Sequence, residues 1–250
     1  MKKFFPGMLL AGIPDFRKAA NETKMRFDII TANPAILQDT INSGLIARAV
    51  KAGLLEIEIH HLRDYAEGSY RQIDDAPYGG GVGMVLKPEP FFKCVEELKK
   101  QRDYDAVINF TPQGKTLDQK AANNYSLKKN FILLCGHYKG IDERVNEFLA
   151  TEEVSIGDFV LSCGDIAALV FIDSVSRLIP GVLGDGESAL TDTFMTETGF
   201  DHPQYTRPPD YEGKKVPEIL LSGDHSKISE WRTQKAKEKF NKFNKNKAQE

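Results

Sequence analysis

Residues 105–178 read DAVINFTPQGKTLDQKAANNYSLKKNFILLCGHYKGIDERVNEFLATEEVSIGDFVLSCGDIAALVFIDSVSRL. Three short apolar runs, DAVINF, FILLC and EVSI, alternate in this stretch with segments whose apolar residues recur at helical spacing. Strands that are apolar along their whole length bury both faces, and strands separated by helices pair in parallel, so this stretch predicts an α/β domain with a parallel sheet covered on both sides. Each run leads into a polar, glycine-containing loop: Thr111–Gly114, Gly136–Gly140 and Ser155–Asp158. Parallel strands place their carboxyl ends on one edge, where a polar ligand of nucleoside size is commonly held. Singly, each loop also reads as a plain strand-to-helix connection.

The same alternation extends toward the N-terminus. RFDII reads as a buried strand, Pro34 to Lys51 as one helix with Ile36, Ile41, Leu45, Ile46 and Val50 on one face, LLEIEIH as a half-buried strand and Pro88 to about Lys99 as a helix. Within the opening stretch, helices are expected near Asp118 to Tyr125, from Ile141 to about Leu149 and from Ile166 to Leu178. Residues 1–24 read as an extension before the first strand. After Pro180 the chain turns polar, and GDGESALTD has the composition of a linker, so residues 25–183 form one domain, 184–191 a linker and 192–250 a second domain ending in a basic helix.

Composition excludes several classes. At 41% hydrophobic and 28% charged residues the chain is neither disordered nor fibrous. The central apolar run Ile166–Ile172 is flanked by Asp165 and Asp173 and is far too short to span a bilayer. Pro6, Pro14 and the charges that follow them argue against a secretory signal. Cys94, Cys135 and Cys163 are odd in number and widely spaced, which fits neither a disulfide framework nor a zinc site and points to a reducing, cytoplasmic compartment. Net charge is −3, but residues 231–250 carry seven basic side chains against two acidic ones. That tail reads equally as a phosphate-attracting arm or a solvated terminus.

Residue by residue, structural roles come first. PYGGGVGM, Pro77 to Met84, lacks the Gly-Lys-Ser/Thr ending of a phosphate loop and reads as a tight surface turn, with Asp74 and Asp75 before it and Lys87 after. Asp142, Glu143 and Arg144 suit a helix start. The five histidines show no metal-ligand spacing, and Cys163 reads as an inert thiol. Asp192, in TDTF, reads as a helix N-cap, and Arg177 as a cation at a helix C-terminus.

In combination the motifs say more. DDAPYGGGVGM (74–84), TPQGK (111–115), CGHYKGIDERV (135–145), SIGDFVLSCGD (155–165), DSVSRLIPGVLG (173–184), PQYTRP (203–208), VPEILLSGDH (216–225) and Trp231-Arg232 occur in one order. That series resembles the bacterial tRNA (guanine-N1)-methyltransferases of the TrmD type, over more than 200 residues from Met25 to about Arg232. The resemblance implies a SPOUT-class domain whose parallel sheet is closed by a deep trefoil knot, a rare exception among folds, with a small, mostly helical C-terminal domain. It also implies a homodimer with composite active sites. The implied activity is methyl transfer from S-adenosylmethionine to N1 of the guanosine immediately 3′ of the tRNA anticodon.

By the same resemblance the donor lies against Phe110, Thr111 and Pro112, against Gly136, Tyr138 and Gly140, and against Ser155, Ile156, Gly157, Asp158, Phe159, Val160 and Leu161 with Gly164. Side chains at Gly136 or Gly157 are expected to intrude on the donor. N1 of guanine carries a proton at neutral pH, so the reaction needs a general base and a cation for the charge that develops toward O6. The resemblance assigns these roles to Asp192 and Arg177. It further implies Mg²⁺, for which the sequence shows no dedicated cage of oxygen ligands. The anticodon loop of tRNA is expected to meet the glycine loop with Asp74 and Asp75, and its backbone to meet Tyr205, Arg207 and the basic tail, the linker closing over the guanosine. This chain carries His137 and Lys139 where the family commonly shows Arg and Glu, and Cys163 and Asp165 for a glycine and a glutamate. Two rival readings stand beside this one: a nucleotide hydrolase built on the glycine loop, against which the missing phosphate-loop ending counts, and a non-catalytic RNA-binding relative that kept the knot, for which those departures argue.

Overall fold

The computed structural model describes residues 24–183, 193–194 and 200–247. The expected extension at 1–23, the linker at 184–191 and Asp192 lie outside the described residues. The chain divides into two compact units, Met1–Leu183 and Gly184–Glu250.

In the first unit, β1 (Met25–Thr31), β2 (Leu55–His61), β5 (Ala106–Thr116), β6 (Asn130–Leu134) and β7 (Glu152–Ser155) form one sheet in the order β2-β1-β6-β5-β7. All of its pairings are parallel. Around it run α1 (Ala35–Ile41), α2 (Gly44–Lys51), α3 (Pro88–Gln101), α4 (Gln119–Tyr125), α5 (Glu143–Phe148) and α6 (Gly164–Ser176). The two-residue strands β3 (Asp74–Asp75) and β4 (Val85–Leu86) form an antiparallel pair that carries the glycine loop.

Alternation along the strands builds two cores. Phe27 and Ile29 of β1, with Phe131 and Leu133 of β6, pack on α6, where the Phe171 ring lies 4.9 Å from Tyr125, 5.7 Å from Phe131 and 5.8 Å from Phe110. Edge-on rings at such separations add to what their burial already supplies. On the opposite face Ile30, Val107, Ile132 and Leu134 pack on Phe91, Cys94, Val95 and Leu98 of α3. Helices on both faces are what the unbroken apolar strands require.

Two elements differ from expectation. The helix expected from Pro34 to Lys51 is two helices, because Asn42 closes α1 by returning its N–H to the Gln38 carbonyl and Ser43 opens α2 in an extended conformation. The segment Thr111–Gly114, expected as a loop beyond its strand, lies within the bounds of β5. Phe110 and Lys115 both pair with Val154, so the four residues between them leave the ladder and return to it. Such a break in register turns a strand's side chains toward a new direction.

The same face of β1 buries a charge. Asp28, wholly buried, accepts Arg26 Nε at 2.6 Å, Arg26 Nη2 at 2.7 Å and the Tyr104 hydroxyl at 2.7 Å, and its carboxylate lies 2.8 Å from His60 Nε2. Arg26 also bonds Glu56, its register partner on β2.

In the second unit, β8 (Asp210–Tyr211) and β9 (Lys214–Lys215) form a hairpin, followed by α7 (Glu218–Leu221) and the basic helix α8 (His225–Lys247). Phe200 stands 5.1 Å from Phe243 and 5.4 Å from Phe194, giving α8 a small aromatic seat.

Burial alone would raise the Asp28 carboxyl, but bonds from His60, Arg26 and Tyr104 outweigh it and hold the group at about 2, below the usual 3.8. A lowered folded value stabilises the fold above the unfolded value of about 3.9, and that contribution is lost as pH falls from there toward about 2. Urea melts from pH 6 to pH 2.5 are expected to lose stability across that window. Asp28→Asn is expected to flatten this limb and to cost about 1–3 kcal/mol at neutral pH, since Arg26 loses its buried partner and keeps only Glu56.

Candidate functional site

Strands β6, β5 and β7 are adjacent in the sheet, so the excursion within β5 meets the loops that follow β6 and β7. Between them lies a cavity of about 500 Å³, within the range of small-molecule sites. Phe110, Thr111 and Pro112 line it from the excursion in β5, Gly136, Tyr138 and Gly140 from the loop after β6, and Ser155, Ile156 and Gly157 from the end of β7. Phe159, Val160, Leu161 and Gly164 complete the predicted set on its wall. Asp158 is exposed and is not among the wall residues.

Backbone contacts tie these loops. The N–H of Gly164, the first residue of α6, donates to the Gly136 carbonyl at 2.8 Å, and His137 forms an antiparallel bridge with Cys163. Ser155, 2% exposed, donates its hydroxyl to the Gly157 carbonyl at 3.0 Å and accepts the Gly157 N–H at 3.1 Å, which fixes the turn leaving β7. The hairpin of β3 and β4 braces the loop after β6 from outside: Leu86 N–H donates to the Gly140 carbonyl and Asp142 N–H to the Leu86 carbonyl, both at 3.0 Å.

The glycines also make room within the protein itself. A Cβ on Gly157, whose φ is +145°, would stand 2.4 Å from the Phe159 ring, and one on Gly164 would stand 2.8 Å from the Gly136 nitrogen. At Gly136 a Cβ would meet the Ile141 side chain at 3.4 Å. At Gly136 that is an ordinary contact and at Gly157 the neighbour is in the same loop, whereas at Gly164 the atoms struck are backbone of the loop after β6, so glycine there lets loop pack on loop.

Side-chain chemistry concentrates on one part of the wall. Asn146 Nδ2 donates to Glu153 at 2.5 Å and to Glu143 at 3.3 Å, and Asn109 Nδ2 lies 3.4 Å from the Asn146 carbonyl oxygen. All four residues, with His137 and Lys139, line the cavity. Sequence reasoning passed over Asn109, Asn146 and Glu153. The available signal was a polar residue inside or beside an apolar strand, at the end where parallel sheets hold ligands.

The thiols are not reactive groups. Cys94, Cys135 and Cys163 are free and buried, and burial pushes Cys94 up to about 12 and raises Cys163. Asp165, which stands where the family commonly has a glutamate, is 2% exposed and accepts the Thr31 hydroxyl at the end of β1. Arg177 caps the end of α6, half-buried and off the cavity wall, while Asp192 lies outside the described residues. Among the described residues no three His, Cys, Asp or Glu side chains converge as a metal site.

In the second unit a separate cavity of about 670 Å³ is walled by Tyr205, Arg207 and Arg232 over the apolar side chains of Val216, Leu220 and Ile228.

Comparison with known proteins agrees with this geometry. Residues 25–248 match the family model described as tRNA (Guanine-1)-methyltransferase TrmD. The chain is 54% identical over 215 residues to a tRNA (guanine-N(1)-)-methyltransferase from Chlorobaculum tepidum, covering 86% of this chain and 93% of that protein. It is 52% identical over 219 residues to the protein of the same name from Christiangramia forsetii, covering 88% and 96%. The crystal structure of tRNA (m1G37) methyltransferase from Aquifex aeolicus superposes with a TM-score of 0.73 at 38% identity, over 88% of this chain and 92% of that one.

Because the atoms that a Cβ at Gly164 would strike are backbone, Gly164→Ala is expected to lower stability by about 1–3 kcal/mol, read from the urea midpoint. An unchanged midpoint would mean that the loop contact contributes little.

Proposed function

The chain belongs to the TrmD family of tRNA (guanine-N1)-methyltransferases, and from this premise we propose that its cavity holds S-adenosylmethionine and that the acceptor is N1 of the guanosine 3′ of the anticodon. That nucleotide is position 37, the one named in the tRNA (m1G37) methyltransferase of Aquifex aeolicus. The observation that carries the reading is the convergence of three strand-end loops on one cavity in a chain more than half identical to named methyltransferases. Relatives so named leave the non-catalytic alternative without support.

The residues fit the donor. Phe110, Ile156 and Leu161 offer apolar surface to an adenosine, and Glu143 and Glu153 offer negative charge to a cation. When bound, the donor supplies an electrophilic methyl group on a sulfonium. As the N1–CH₃ bond forms the S–CH₃ bond breaks, and the N1 proton passes to the carboxylate of Asp192. Arg177 steadies the negative charge that grows on O6 of the base. Asp192 belongs to a segment we propose closes over the guanosine when tRNA binds. Mg²⁺ finds no preformed set of ligands in the described residues, and no step here is routed through it.

The remaining features are proposed with it. A trefoil knot is supported by the return of residues 156–164 to the loop after β6, although β7 lies on the far side of β5 from β6. A homodimer is supported by apolar groups left bare on the first unit, among them Tyr78 at 101% and Val82 at 89% exposure. The cavity beside Tyr205, Arg207 and Arg232, with the basic face of α8, suits a tRNA backbone. No helix of the described residues is long and apolar enough to cross a membrane, and three free thiols suit the cytoplasm.

The test is transfer of labelled methyl groups to a tRNA transcript with guanosine at position 37, and to the same transcript with adenosine there. Label is expected in the first alone, as 1-methylguanosine. Asp192→Asn is expected to slow turnover by about 10²–10⁴-fold, and Arg177→Ala by about 10²–10³-fold, with little change in donor affinity. Full activity in either variant would remove that residue from the mechanism.

A further inference from the structure

Lys139 differs from every other group on the cavity wall. Among the described residues two carboxylates, Glu143 and Glu153, and one ammonium, Lys139, are the fixed charges there. Asn146 holds both carboxylates through its amide, whereas Lys139 makes no ion pair or side-chain hydrogen bond among the described residues. An ammonium beside a binding cavity with no anion of its own is free to meet one brought by a ligand.

The donor brings one. S-adenosylmethionine carries a positive sulfonium and a positive α-ammonium, for which two carboxylates are suitable neighbours, and a negative α-carboxylate, which those same carboxylates would repel. We propose that Lys139 binds the α-carboxylate of the donor, and that the glycine-rich loop positions it. This rests on the reading of the cavity as the donor site.

The loop's part follows from geometry. Lys139 donates its backbone N–H to the Met84 carbonyl at 3.0 Å. Gly83, with φ +102°, lies so close to the lysine stem that a Cβ there would stand 2.8 Å from Lys139 Cγ and 3.3 Å from Cε. Only glycine fits both the backbone angle and the space. The stem is confined on that side, which lowers the entropy lost when the ammonium is fixed by a ligand. The motif PYGGGVGM, which reads as a surface turn in sequence, thereby acquires a positioning role in the first unit.

Titration calorimetry on the full chain tests this with two compounds, S-adenosylmethionine and decarboxylated S-adenosylmethionine, which lacks only the carboxylate. The wild type is expected to bind the first about tenfold more tightly, the yield of one charge-assisted bond at a partly open site. Lys139→Met is expected to erase that preference, Lys139→Arg to keep it, and Gly83→Ala to reduce it with the charge count unchanged. A wild type without preference, or a Lys139→Met variant that keeps it, would overturn the proposal. So would a Lys139→Met variant that binds both donors as the wild type does and loses only tRNA affinity, since the lysine would then be a phosphate contact. A wild type that binds neither compound would overturn the donor-site reading itself, which separates that failure from the failure of Lys139.

Discussion

The backbone of Gly164 stands 2.8 Å from the carbonyl of Gly136, and on that close approach the arrangement of the cavity depends. It joins the start of α6 to the loop leaving β6, two segments separated by α5 and β7 in sequence. A side chain at Gly164 would collide with backbone that has nowhere to move. With this contact in place, His137 bridges Cys163, the turn at Ser155 and Gly157 closes the third side, and the excursion of β5 supplies the fourth. Hydrogen bonds to the main chain thus hold the loops around the cavity, which is the kind of preorganisation a transfer reaction benefits from.

Behind the cavity the support is apolar. Phe110 lines it and also meets Phe171 of α6, whose ring in turn touches Tyr125 and Phe131. The cavity floor and the central core are therefore one packed body, and the position of Phe110 is coupled to that of α6. The buried Asp28 lies on the other face of the sheet, away from this contact chain. It ties β1 to β2 through His60 and to the segment before β5 through Tyr104, so strand order there rests on fully partnered charge.

Much of this was legible in the sequence, and the exceptions have physical causes. Unbroken apolar runs marked β5, β6 and β7, and the glycine-containing loops after them marked the edge on which thirteen predicted residues gather. The break between α1 and α2 was hidden because Ile41, Leu45 and Ile46 keep helical spacing across it. Asp158 was carried along by its neighbours, although a turn fixed by Ser155 points it to solvent. Glu153 and Asn146 were missed since one stands just before an apolar residue on β7 and the other in the middle of α5, where each looks like ordinary surface. Asn146 meets Glu143 within its own helix, but meets Glu153 only once α5 and β7 are brought side by side. The close approach of Gly164 to Gly136 was likewise hidden, because spacing along the chain does not show which loops meet.

The central claim is that the three strand-end loops of the first unit form the donor site. Hydrogen exchange of the full chain with and without S-adenosylmethionine, followed by peptide mass, tests it most directly. Slowed exchange is expected in peptides spanning 110–114, 136–140 and 156–164, with little change in 203–232. Protection confined to 203–232, or none at saturating donor, would contradict the claim.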